Sequence, residues 1–322
     1  MASSVVAQHA VRVHGAIEAG DAAKSALVAS WRRSAVLHHL DPADRQVPRR
    51  LTEAELVRSR QSMGPMIRAA QTALDRLYQA VGGIGCCVLL ADRDGVSVER
   101  RGADADDDTF QNWGLWTGVV WSERSEGTNG IGTCLAESRA LTIHRDQHFL
   151  TRNTSLSCAT APIHDHEGTI AAVLDVSSCR DDLTDGFLKL ISAAVVDAAL
   201  RIEGENFRLA FPQARIVIAP TASRTPGALV AVDREDMIVG ATHSARLALG
   251  ITADALAMPL PAADFLGGGI DRAFDLRMAE RAVLERALIW ADGNVTAAAR
   301  NLGLSRATLH RKIAKYRPTG RR

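Results

Sequence analysis

Lysine is nearly missing from this chain: Lys24, Lys189, Lys312 and Lys315 are the whole complement. Arginine carries the remaining positive charge, a habit of genomic base composition. No lysine follows a glycine, so the phosphate-cradling pattern G-x-x-x-x-G-K-[ST] occurs nowhere, and P-loop nucleotide hydrolysis is excluded. The glycine cluster GTNGIGT (127–133) has no lysine to reach a phosphate. Cysteine is sparse and odd in number (Cys86, Cys87, Cys134, Cys158, Cys179), which argues against a disulfide framework and for a reducing cytosol. No leader pattern opens the chain, so export is not expected. No apolar run approaches the ~20 residues that span a bilayer, so no membrane partner is expected. No internal repeat stands out.

What is present is an ordinary apolar content, 47% of 322 residues, enough for two or three domains of ~100–150 residues. The net charge of +1 is unevenly spread. Residues 277–322 hold eleven Lys and Arg against Glu280, Glu285 and Asp292, a net +8 that leaves −7 for the rest. A basic end on an acidic body points to a polyanionic partner for that end alone.

Residues 1–21 show no clear period and are expected to be loose. Residues 22–40 read as a helix with Leu27, Trp31, Val36 and Leu40 apolar, ended by Asp41-Pro42. Thr52-Glu53-Ala54-Glu55 is a capping box that starts a helix toward Ala80, broken at Gly64-Pro65. CCVLLADRDGVSVERR (86–101) alternates about a turn, the mark of a hairpin. GADADDD (102–108) reads as a solvated acidic loop. Residues 129–138 suit a helix, 140–144 a strand, and 157–178 a second hairpin turning at His164 to Gly168. Leu183 to about Leu209 has the spacing of one long helix. The whole is an α+β domain over 22–205. A smaller hairpin and helix follow in 206–262, then a Gly-rich linker over 263–276.

Three helices fit residues 277–316. The first buries Val283, Leu284, Ala287, Leu288 and Ala291, and Gly293-Asn294 stops it. Thr296 caps the second, Gly303 makes a turn with Leu304 plugged beneath it, and Ser305 caps the third. In that third helix Leu309, Ile313 and Tyr316 share a stripe. Ala307, Thr308, His310, Arg311, Ala314 and Lys315 point away, with Arg306 and Lys312 on the flanks. A capped helix with donors, cations and no acids on its outer face suits a DNA major groove. The competing reading is a solvated helical hairpin that happens to be basic.

GN-x-T-x-A-A…G-x-S-R-x-T-L…K-x-x-K-Y resembles the Fis-type helix-turn-helix. The resemblance implies DNA contacts from Asn294, Thr296, Ser305, Arg306, Thr308 and Arg311, with His310 where the family often has a base. It also implies dimers, for which the apolar helix 278–291 is the natural seam. Upstream, SWRRS (30–34), VVWSERSEGTNGIGTCL (119–135), DQHF (146–149) and CATAPIHDHEGTIAAVLDVSS (158–178) occur in order. Together they resemble the GAF-type sensor of the acetoin-catabolism-regulator branch of sigma-54 enhancer-binding proteins. GALVAVDREDMIVGATHSARLALG (227–250) resembles the small PAS-like segment that follows there. That branch normally carries an ATPase between sensor and DNA-binding part, and neither its P-loop nor a GAFTGA-like loop occurs here.

The resemblance implies a small, largely apolar ligand pocket. Its candidate lining is Trp113, Trp116, Trp121, Thr128, Asn129, His144, His148 and Cys158. The tryptophans equally suit plain core, Thr128-Asn129 a helix cap, and His148 a loop tether. A metal at Cys158, His144, His148, His164 and His166 is a weaker reading, because the spacings fit no standard site. No cofactor is expected. Cys86 and Cys87 point to opposite faces of a strand, so a vicinal redox switch is also the weaker reading.

The function these features imply is a homodimeric regulator on an inverted-repeat operator. Its sensor is expected to change operator affinity through the long helix, a coupling of typically ~1–3 kcal/mol. An ATPase-bearing relative is a further expected partner. The alternatives are a GAF-fold thiol enzyme that reduces small sulfoxides and a nonspecific nucleoid protein.

Overall fold

The computed structural model describes residues 2–23, 25–220, 226–258, 260–266, 280, 283–284, 287–288, 291 and 293–316, with side chains from residue 8 to residue 315. The chain divides into two compact units, residues 1–259 and 260–322.

The centre of the first unit is a five-stranded antiparallel sheet in the order β2-β1-β5-β4-β3. Its strands are β1 (Cys86–Asp92), β2 (Ser97–Arg101), β3 (Leu141–His144), β4 (Ser157–His164) and β5 (Ile170–Ser178). Both expected hairpins are present. β1 and β5 lie in the middle and are buried on both faces, which is why they read as nearly unbroken apolar strings.

Side-chain alternation splits that sheet into two faces. Cys86, Val88 and Leu90 of β1 face one side with Ala159, Ala161, Leu174 and Val176. Two helices cover them: α4 (Gly64–Val81) through Met66, Ala70, Leu74 and Leu77, and α8 (Asp185–Ala210) through Leu188, Ile191, Val195 and Ile202. Cys87, Leu89 and Ala91 face the other side with Cys158 and Val173, beneath Phe110, Leu115, Trp121, Ile131 and Cys134.

Local chemistry sets the helix ends. Thr52 and Glu55 form the expected capping box on α3 (Glu53–Ser62), with the Thr52 N–H donating to Glu55 Oε2 at 2.8 Å. The break before Pro65 leaves Met63 between α3 and α4. Thr184 caps α8, accepting from the Phe187 N–H.

Three expectations need correction. Of the residues expected to be loose, 2–18 are helical and 21 opens a 3-10 turn. Residues 2–18 form α1 (Ala2–Glu18), whose Val13 packs with Val28, Trp31, Phe149 and Leu150. The His9 ring Nε2 donates to the carbonyls of His148 (3.0 Å) and Phe149 (3.3 Å). The helix expected over 22–40 is shorter: α2 spans Ala26–Arg32 and widens into a π turn at Arg33–Leu37, leaving Val36 exposed. The acidic loop coils into a 3-10 turn (Asp104–Asp106) and α5 (Asp107–Asn112), where Asp107 Oδ1 lies 2.8 Å from Arg100 Nη2.

After α8 a three-stranded antiparallel sheet of order β6-β7-β8 follows: β6 (Arg215–Ile218), β7 (Leu229–Val232) and β8 (Ile238–Ala241). The hairpin of β7 and β8 matches the expected one; β6 adds a strand that the sequence reading did not contain. The helix after it runs His243–Leu249. At the turn of 164–168, His164 is buried. Its N–H and its Nδ1 both lie 2.7 Å from Glu203 Oε1 of α8, and its ring stacks on His243 at 3.9 Å between centroids.

The second unit begins with a short helix at Ala262–Leu266, so the first residues of the expected linker are helical; residues 267–276 lie outside the described residues. Of the expected first helix of the terminal domain, residues 280, 283–284 and 287–288 are helical. Two helices complete it, which we number α9 (Val295–Asn301) and α10 (Arg306–Tyr316). Leu284, Ala287, Ala298, Ala299 and Leu309 are their shared core.

Candidate functional site

In the first unit, the SWRRS segment and the Glu123–Thr133 segment, about 90 residues or more apart in sequence, converge on one buried polar knot. The Ser30 hydroxyl of α2 donates to Glu123 Oε1 at 2.6 Å and shares a 2.7 Å hydrogen bond with Thr128 Oγ1. The Thr133 hydroxyl donates to the same Glu123 oxygen at 3.0 Å. Arg33 closes on Glu123 with two bonds of 2.9 Å and reaches Glu137 at 3.2 Å. The Trp31 indole N–H donates to the Gln147 carbonyl at 2.8 Å. SWRRS is therefore a clamp that ties α2 to the ERSEGTNGIGT segment and to the DQHF loop.

The glycines of GTNGIGT serve the same closeness. A Cβ on Gly132 would lie 2.4 Å from the Glu123 nitrogen, so the helix Gly130–Glu137 sits directly on that backbone. Removing Glu123 strands Arg33, Ser30 and Thr133 together. Glu123→Ala is expected to cost about 3 kcal/mol, seen as a lower denaturant midpoint; an unchanged midpoint contradicts the clamp.

The predicted ligand residues fall into three groups. Trp113, Trp116, Trp121 and Cys158 share one apolar cluster on the sheet face away from α4 and α8. Trp121 is buried, and its indole N–H donates to the Gly114 carbonyl at 3.0 Å. Thr128 and Asn129 serve the knot and the helix start. Asn129 Oδ1 accepts from the Gly132 N–H at 2.9 Å, and its amide nitrogen donates to the Gly127 carbonyl at 2.8 Å. His144 sits at the sheet edge, its Nδ1 2.8 Å from Ser157 Oγ.

His148 is fully buried. Its Nδ1 donates to the Arg145 carbonyl at 2.9 Å and its Nε2 lies 3.5 Å from Cys158 Sγ. Burial pushes its basicity down to about 4, so it is neutral and tethers the loop on which α1 docks. A cavity of about 390 Å³ runs along the free edge of β3, with Leu27, Ser30, Thr133, Leu141 and Lys189 in its walls. Of the predicted ligand residues, Thr128 alone lines it.

The metal reading loses its ligands to other partners. His148 uses both ring nitrogens, and His164 belongs to Glu203 and His243. The thiols are poor nucleophiles. Burial pushes Cys86 up to about 11 and Cys134 up to about 12, and raises Cys87 and Cys158 as well. Cys86 and Cys87 do face opposite sides of the sheet. A thiol reductase needs a thiolate, which this environment opposes.

Sequence reading missed Asp175, a buried acid on the central strand whose carboxyl burial pushes up to about 7. The signal was present as a single acid inside AAVLDVSS, in phase with Val173 and Ser177.

In the terminal unit, α10 is anchored by Leu309 and exposes Arg306, Ala307, His310, Arg311, Ala314 and Lys315. Ser305 Oγ accepts from the Thr308 N–H at 3.1 Å, and the two hydroxyls lie 2.8 Å apart. The cap of α9 is Asn294, not Thr296: its Oδ1 accepts from the Thr296 and Ala297 N–H groups at 3.1 and 3.2 Å. Asn at this position satisfies two helix-end donors, which leaves Thr296 inside the first turn. Asn294→Ala is expected to cost the terminal unit about 1 kcal/mol, read from its thermal transition.

Lys312 is held in an ion pair by Glu280. Leu302, rather than Leu304, joins the core under the Gly303 turn. On the expected dimer seam, Leu284 and Ala287 are spent on the unit's own core, whereas Val283 is 43% exposed rather than buried. Residues 278–279, 281–282, 285–286 and 289–290 of that seam lie outside the described residues.

Comparison with known proteins agrees with this geometry. The GAF domain family matches residues 65–202, and the family described as bacterial regulatory protein, Fis family, matches residues 275–316. The acetoin catabolism regulatory protein of Cupriavidus necator is 35% identical over 254 residues, which is 77% of this chain and 37% of that protein. The acetoin dehydrogenase operon transcriptional activator AcoR of Bacillus subtilis is 28% identical over 148 residues, 46% of this chain and 24% of that protein. The chain thus spans well under half the length of these curated relatives. Among solved structures, the E. coli DhaR(N)–DhaL complex aligns with a TM-score of 0.52 over 81% of this chain and 86% of that one, at 15% identity, a likeness of fold. The chain therefore joins a GAF domain to a Fis-family helix-turn-helix, and it resembles the acetoin-catabolism branch of bacterial regulators.

Proposed function

We propose that this chain is a sequence-specific DNA-binding transcriptional regulator whose GAF domain senses a small molecule. The observation that carries the reading is α10. Leu309 fixes it from below, Ser305 and Asn294 finish the helix starts, and its outer face presents Arg306, His310, Arg311 and Lys315 with no acid among them. Duplex recognition asks for that combination: cations for phosphates and donors for base edges on a rigid helix. The chain acts as a homodimer on an inverted repeat, and its effector sets operator affinity. The relatives' names, which are those of transcriptional regulators and activators, support the same reading.

The chain holds no P-loop, so it works through occupancy of DNA, either alone or alongside an ATPase-bearing relative that shares its operator. Among the described residues no helix is long and apolar enough to cross a membrane. The chain is a non-enzyme on this reading, and Cys86, Cys87, Cys134 and Cys158 are core residues.

The test is a titration of the full chain against duplex DNA from its own promoter region. A specific shift is expected, weakening steeply between about 50 and 200 mM salt as phosphate contacts release counterions. Equal affinity for random DNA favours the nucleoid reading instead, and no binding at low salt contradicts the proposal.

A further inference from the structure

On the sheet face opposite α4 and α8, one carboxylate has only half of its hydrogen-bonding met. Asp175 lies on the central strand β5, with Leu89 and Thr160 as cross-strand neighbours. The adjacent row on that face is Cys87, Ser177 and Cys158. Asp175 is 1% exposed. Its Oδ2 accepts the Ser177 hydroxyl at 2.7 Å, but its Oδ1 has no partner among the described residues. Gly130, the first residue of its helix, comes close: a Cβ there would sit 3.0 Å from Oδ1 and 2.7 Å from Cys158 Cβ.

The hydroxyls and the thiol around it are already engaged, whereas Arg100 keeps its Nε without a hydrogen-bond partner among the described residues. The Ser177 hydroxyl also lies 3.1 Å from Cys158 Sγ, which is itself 3.5 Å from His148 Nε2. Thr160 Oγ1 donates to the carbonyls of Gly130 (3.3 Å) and Leu141 (3.2 Å). Arg100, beyond Leu89 in the same row, lies against Asp107 and over the Trp116 ring at 4.2 Å. Unsatisfied buried carboxylate oxygens are rare because each costs stability, and burial has raised this acid's pKa to about 7. A structural acid would be expected to use both oxygens or to be replaced by an apolar residue.

We propose that Asp175 is the recognition anchor of the sensor, its Oδ1 accepting a hydrogen bond from the hydroxyl of a compact, otherwise apolar molecule. The inference rests on the sensor reading above and names the ligand class. A hydroxyl supplies the missing donor. At a pH above the folded carboxyl's value of about 7, where it is ionised, a ketone brings an acceptor against an acceptor. An ammonium gives up its hydration among thiols and aliphatic groups for a single new bond.

The test uses the full chain at a pH of about 8.5, where the carboxyl is ionised, and three four-carbon probes that differ only in the polar group: butan-2-ol, butanone and butan-2-amine. Binding is read by calorimetry and by thermal shift. Wild type is expected to prefer the alcohol over the ketone by about 10-fold or more, as one hydrogen bond of ~1.4 kcal/mol gives. Asp175→Leu is expected to lose that preference to within about twofold, with circular dichroism reporting the fold. Asp175→Asn covers the case in which the leucine variant does not fold. Its carbonyl takes the Ser177 hydroxyl, its NH₂ replaces Oδ1, and the preference moves toward the ketone.

The inference is overturned if wild type binds alcohol and ketone alike, binds the amine most tightly, or binds none of the three. It is also overturned if the alcohol preference survives in both variants. Binding of promoter DNA without such discrimination defeats this inference alone; discrimination without DNA binding defeats the DNA reading alone.

Discussion

Asp175→Asn is expected to stabilise the protein at pH 8 and to leave it nearly unchanged at pH 4. Burial pushes the Asp175 carboxyl up to about 7 in the folded chain, whereas an unfolded aspartate titrates near 3.9. Between those values the folded state binds the extra proton. Stability from this group is complete below pH ~4 and is lost as pH rises through ~7. Asparagine mimics the protonated acid and carries no such loss. The gap between variant and wild type should therefore open from pH 4 to pH 7, reaching on the order of 4 kcal/mol at most.

His148 changes stability in the opposite sense. Its folded basicity lies near 4, so its contribution is lost as pH falls below ~6.5. That term is common to both proteins and cancels in the difference. Urea unfolding of both at pH 5 and pH 8 checks this. A pH-independent difference, or a destabilised variant at pH 8, contradicts the buried-acid account. A gain in stability paired with a lost ligand preference is the signature of a residue kept for function.

The second large effect lies on α10. Arg311→Ala is expected to weaken operator binding by ~1–3 kcal/mol for each half-site, about 30-fold or more for a dimer. Arg306→Ala is expected to fall in the same range, because both side chains are exposed on the helix fixed by Leu309. Lys312→Ala should cost much less, since Glu280 already engages that ammonium. The salt slope separates the roles. A lost phosphate contact lowers it by about one and weakens all sequences alike, whereas a lost base contact relaxes preference at one position. Equal, small effects for all three variants would mean that α10 is not the reading element.

Much of this architecture was legible because turns and caps announce themselves. Thr52 with Glu55, Asn129 before its helix, and Asp92 to Gly95 between alternating strands each fix an element by local chemistry. What stayed hidden depended on distant partners. Residues 1–21 read as loose for want of a clear period, and only the carbonyls of His148 and Phe149 explain the burial of His9. His164 reads as a turn residue until Glu203 and His243, 39 and 79 positions away, enclose it.

The signature motifs were legible as a resemblance, but their roles were not. Ser30, Arg33 and Glu123 hold elements together, and Thr128 and Asn129 mostly do the same, while Asp175 went unread inside an apolar string. In the terminal unit the helices were readable, yet Asn294 and Thr296 both suit a cap, and only backbone geometry distinguishes them.

The most direct measurement is a hydroxyl-radical footprint of the full chain on its own promoter region. The account predicts two short protected patches related by a dyad, with half-site centres about one helical turn, ~10 base pairs, apart. Adding a sensed molecule should change the protein concentration needed for protection, and Arg311→Ala should erase both patches. Uniform protection along any duplex, or none at low salt, would contradict the claim that this chain reads a specific site through its last helix.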